Sequence, residues 1–100
     1  MSVKLLMRWN ILPETETDYF EFLVHEFIPN MTKLGIGDIQ VWLTVYGEGE
    51  QKLASGITRT PEQMTSILNS DEWDDLTDKL QEYVENFDQK VISATGGFQV

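Results

Sequence analysis

The chain has 100 residues with 17 acidic and 7 basic side chains, a formal charge of −10 and no cysteine. The acidity argues against a nucleic-acid binder, which needs clustered Lys and Arg, and disfavours anionic membrane surfaces. The missing thiols rule out disulfides, thiol catalysis and thiolate metal sites, and they fit a reducing compartment. The length suits a single domain, expected over residues 1–100, and an apolar content of 41% is enough to fill a core. Lys4 and Arg8 break up the apolar N-terminus, so no signal peptide is read there, and no stretch is long enough to span a bilayer. A soluble, cytoplasmic protein is expected.

From Val3 to Leu12 the side chains alternate, with Val3, Leu5, Met7, Trp9 and Ile11 on one face and Lys4, Leu6, Arg8, Asn10 and Leu12 on the other, which predicts a first strand ended by Pro13. Glu14 to Asp18 supplies helix caps and acids suited to a helix N-terminus. At about 100° per residue, Phe20, Leu23, Val24, Phe27, Met31 and Leu34 form one stripe, predicting an amphipathic helix to about Lys33. Pro29 lies inside that helix and is expected to kink it or end its regular part near His25 to Ile28, and Gly35-Ile36-Gly37 closes it.

Alternation returns from Asp38 to Tyr46, with Gln40, Trp42, Thr44 and Tyr46 sharing one face. Gly47 to Glu50 then reads as a hairpin loop into a third strand from about Lys52 to Arg59. Thr60-Pro61-Glu62-Gln63 has the spacing of a capping box and starts a short helix. Asn69-Ser70-Asp71 caps the chain again before a longer helix on which Trp73, Leu76, Leu80, Val84 and Phe87 share a face. The tail from Lys90 is β-capable at Val91, Ile92 and Ala94 and is broken by Gly96-Gly97.

This order of elements, together with Glu72-Trp73 followed by Leu76, Leu80, Tyr83 and Val84, resembles the ferredoxin-like module of the dimeric α/β barrel superfamily. That superfamily includes antibiotic-biosynthesis monooxygenases, stress-responsive A/B barrel proteins, muconolactone isomerases and NIPSNAP-like proteins. The resemblance implies an α+β fold with a four-stranded antiparallel sheet, helices on one of its faces, and a second subunit on the other. The strand pattern agrees, because the outer face would carry Leu6, Leu12, Trp42 and Tyr46 among polar groups, a mixture suited to an interface or pocket. A one-residue slip would instead send Met7 and Trp9 toward the partner.

The candidate ligand-binding set is Arg8, Gln40, Trp42, Thr44 and Tyr46, polar groups converging among aromatics, with Arg59 as a carboxylate anchor or loop cap. A semi-polar dimer interface accounts for the same residues. His25, the single histidine, is the candidate catalytic acid or base, although its helical angle sets it away from the core stripe. The acids Asp71, Glu72, Asp74, Asp75 and Asp78 read as a solvated helix start, so no metal site and no cofactor are expected. The expectation is a homodimeric barrel that binds a small, partly apolar molecule or acts as an interaction module. The alternative is a cofactor-independent monooxygenase or isomerase for a small aromatic or lactone-like substrate.

Overall fold

The computed structural model describes residues 2–46 and 49–94, with the backbone alone at 43–46 and 49–52. Strand β1 (Val3–Ile11) lies inside a four-stranded antiparallel sheet of order β2-β3-β1-β4, with β2 at Gly37–Tyr46, β3 at Gly49–Thr58 and β4 at Val84–Ser93. The alternation read from the sequence sets its faces. Val3, Leu5, Met7 and Trp9 are buried beneath the helices, while Lys4, Leu6, Arg8 and Asn10 point the other way. Trp9 is completely buried, which decides the question of register. Its indole stacks on Phe87, meets Phe27 and Tyr19 edge-on, and donates its N–H to the Tyr19 hydroxyl at 2.9 Å.

The first helical layer departs from the sequence expectation. It consists of α1 (Glu16–Phe22), a π-helical turn (Leu23–Phe27) and α2 (Ile28–Leu34). Tyr19, Leu23, Phe27 and Met31 are the buried residues that recur along it, every four positions. A regular helix turns about 100° per residue, so such a stripe would drift by roughly 40° at each step. The wider π turn absorbs the drift, and the Ile28 N–H bonds the Leu23 carbonyl five residues back. Pro29 follows directly; having no N–H, it needs no carbonyl of the preceding turn. Two residues expected in the core stripe, Phe20 and Val24, are therefore exposed, and Phe22, which is not part of that stripe, is buried against Phe27 and Tyr83.

Gly35, at φ 110°, caps α2, and Ile36 then turns into the core under Gly56 of β3. Helix α3 (Pro61–Leu68) begins as its capping motif predicts, with the Gln63 N–H donating to Thr60 Oγ1 at 3.1 Å. The Gln63 side chain accepts from the Arg59 N–H and donates to the Gly35 carbonyl, tying the start of α3 to the end of α2. Ser70 caps α4 (Asp71–Leu80) through the Trp73 N–H.

Helix α4 ends at Leu80, well short of Phe87. A turn carries Tyr83 to the end of β1, where its carbonyl accepts from the Leu12 N–H and the Thr15 hydroxyl. Val84 and Phe87 belong to β4, and Phe87 still packs against the core because the strand is bulged. Arg8 pairs with Asp88 and Asn10 with Glu85, so Trp9 faces both Asn86 and Phe87, and Asn86 takes the left-handed conformation (φ 57°). With the extra residue, positions three apart share a strand face as they would share a helix face, which is why periodicity reads this segment as helix. Of the expected hairpin loop, Gly47 and Glu48 lie outside the described residues, as does the tail beyond Ala94 with Gly96-Gly97; β3 already runs from Gly49.

Two predictions follow from this packing. A Cβ at Gly56 would lie 2.2 Å from Ile36 Cγ2, so Gly56→Ala is expected to destabilise the protein by about 1–3 kcal/mol in denaturant titrations. Burial pushes the Tyr19 hydroxyl above its ordinary 10.0, against the opposing hydrogen bond from Trp9. Above that pH the unfolded chain releases a proton that the folded one retains, so stability is expected to fall as pH rises past 10. Tyr19→Phe should flatten that part of the pH–stability curve while lowering stability at neutral pH by about 1–3 kcal/mol, because the Trp9 N–H loses its acceptor.

Candidate functional site on the open sheet face

The sheet face away from the helices is built from cross-strand rows. One runs Gly37, Ile57, Lys4, Ile92; the next Gln40, Ser55, Leu6, Lys90; the third Trp42, Leu53, Arg8, Asp88. Trp42 is 42% exposed, Leu53 37% and Ile92 40%, so the face presents large apolar groups to its surroundings. Between β3 and β4 it sinks into a hollow of about 270 Å³ lined by Leu6, Arg8, Leu53, Asp88 and Lys90, with Met7 and Gln89 completing its wall. Across the hollow Arg8 Nη2 lies 3.3 Å from Asp88 Oδ2. Both side chains are more than half exposed, so the pair contributes little to stability.

The predicted site residues divide into groups. Arg8 and Trp42 share a row, two strands apart and thus separated by roughly 10 Å, with Leu53 between them; Gln40 sits in the adjoining row. Thr44 and Tyr46 continue β2 beyond Trp42, paired with Gln51 and Gly49, and their side chains lie outside those described. Arg59 is not part of this group. It follows Thr58 at the far end of β3, beside a shallow hollow bordered by Gly37, Asp38 and Gln63, where its backbone closes the α3 cap. His25 stands exposed in the π turn on the helical side of the sheet, near Asp18, Glu21, Glu26 and Tyr83. Within one chain it is not brought together with Arg8 or Trp42.

Asp88 and Lys90 are functional candidates that sequence reasoning missed, since residues up to Phe87 read as helix. The alternation of Asp88 and Lys90 before β-branched Val91 and Ile92 was the available signal. Leu53 was legible as the residue alternating with Ser55 and Ile57. Asp71, Glu72 and Asp74 occupy the exposed first turn of α4, with Asp75 and Asp78 exposed further along it, and among the described residues no three His, Asp or Glu side chains are placed to share a metal ion. No helix among these residues is long and apolar enough to cross a membrane.

No protein-family model matches the chain, and no curated protein matches it in sequence. Solved structures do. SnoaB, a cofactor-independent oxygenase from Streptomyces nogalater, superposes with a TM-score of 0.72 at 7% identity, over 94% of this chain and 93% of its own. A NIPSNAP family protein from Agrobacterium tumefaciens gives 0.67 at 13% identity over 95% and 94%. A protein of unknown function from Bacteroides fragilis, described as dimeric with a ferredoxin-like fold, gives 0.70 at 13% identity over 92% and 95%. The chain has the α+β, ferredoxin-like fold, and its resemblance to monooxygenase-like and NIPSNAP proteins holds at the level of architecture.

Of the three tryptophans, Trp9 and Trp73 are buried and Trp42 is not. Acrylamide quenching of the isolated chain is therefore expected to act on Trp42 alone, and Trp42→Phe should leave emission that is largely unquenchable.

Proposed function

We propose that the protein is a homodimer in which the open faces of two sheets meet to close a barrel, and that the enclosed space holds a small, partly apolar molecule. The observation that carries this reading is the open face itself. A sheet face left to water is expected to be polar, yet this one exposes Trp42, Leu53 and Ile92 around a hollow floored by Leu6. The description of the Bacteroides fragilis neighbour as dimeric supports the assembly. The cysteine-free composition supports a cytoplasmic setting. Arg8, Gln40 and Trp42 are the proposed contacts, extended by Thr44 and Tyr46 along β2; Arg59 is read as a loop cap.

The likeness to SnoaB supports a second reading, a cofactor-independent monooxygenase or isomerase acting on a small aromatic or lactone-like substrate. In that reading Arg8 holds a developing anion and His25 acts as base. Binding is preferred because His25 lies across the sheet from the hollow.

Sedimentation and native mass spectrometry test the proposal. The wild-type chain is expected to be a dimer at micromolar concentration. Leu53→Asp on the open face should yield monomers, whereas Phe20→Asp on the helical layer should leave the dimer intact. A wild-type monomer, or equal disruption by both substitutions, would overturn the reading.

A further inference from the structure

The charges of this acidic chain are unevenly placed on the open face. Among the described residues that face carries Lys4, Arg8 and Lys90, three of the seven basic side chains, against Glu85 and Asp88, two of the seventeen acids. All five stand on β1 and β4. The neighbouring half of the face, on β2 and β3, offers Trp42, Leu53 and Ile57 and no charge in the paired rows.

Cross-strand pairing makes the arrangement specific. Lys90 lies opposite Leu6, and so diagonally from both Arg8 and Lys4, a spacing of about 7–8 Å that long side chains bridge. Leu6 thus forms an apolar floor with cationic groups around it, and among the described residues Asp88 is the one carboxylate lining the hollow. Its contact with Arg8 is solvent-exposed and long for an ion pair, so an incoming anion displaces it at little cost.

Resting on the small-molecule reading above, we infer that the hollow selects an organic anion: one carboxylate seated over Leu6 between Arg8 and Lys90, with an apolar body extending over Leu53 toward Trp42. In a protein of charge −10 a local cationic site also relieves an anion of the general repulsion.

The test compares 2-naphthoate with 2-naphthylmethanol, which have the same ring system with and without the charge, by titration calorimetry of the wild-type protein. Naphthoate is expected to bind about tenfold or more tightly than the alcohol, with the gap narrowing as salt is raised. Lys90→Gln should weaken naphthoate and leave the alcohol unchanged, and Asp88→Asn should strengthen naphthoate. Thermal melts of both variants verify that they fold. Equal binding of the two probes overturns the anion preference while leaving the pocket standing. A preference for naphthoate that survives Lys90→Gln undiminished overturns the placement of the carboxylate. Binding of neither probe removes the pocket and this inference with it.

Discussion

Keeping the indole of Trp9 out of water is the constraint from which the other placements follow. It sits between Tyr19, Phe27 and Phe87, and its one polar atom is satisfied by the Tyr19 hydroxyl. Truncating a buried tryptophan typically costs roughly 3–5 kcal/mol, so a slip of β1 that exposed Trp9 would forfeit a comparable amount. Because strand side chains alternate, anchoring Trp9 inward turns Leu6 and Arg8 outward, and the registers of β3 and β4 then bring Leu53, Asp88 and Lys90 beside them. The candidate site is thus assembled by a residue on the opposite face.

Much of this was legible because the responsible physics is local. The alternation of β1 and β2 sorted their side chains into two faces, and the Thr60 and Ser70 caps marked two helix starts by the hydrogen bonds they form. What escaped were two places where one extra residue changes the phase of an element. The π turn rotates Phe20 and Val24 out of the core and Phe22 into it, and the bulge at Asn86 gives β4 a helical spacing. In both cases tertiary contacts around Trp9 select the irregular geometry, and no sequence window contains them. Arg8, Gln40 and Trp42 could be placed on one sheet face because they alternate within single strands, whereas Asp88 and Lys90 were hidden behind the bulge.

The likeness to proteins sharing 7–13% of residues shows how little identity this architecture requires. What must be conserved in kind is the apolar parity of the strands and a helical stripe that matches it. The open face is free of that demand. Its residues contribute little to the core of one chain, so the chemistry of the hollow can diverge while the scaffold stays the same.

The two outermost strands, β2 and β4, both carry a bulge next to a residue in the left-handed region, Asp38 (φ 49°) in β2 and Asn86 in β4. Bulges bend and twist a strand, so each rim is interrupted near its start, at Asp38 on β2 and at Asn86 on β4. Charged Glu85, Asp88 and Lys90 reinforce this on β4. Open-ended growth by adding strand to strand, the route to fibres, is thereby hindered at both borders.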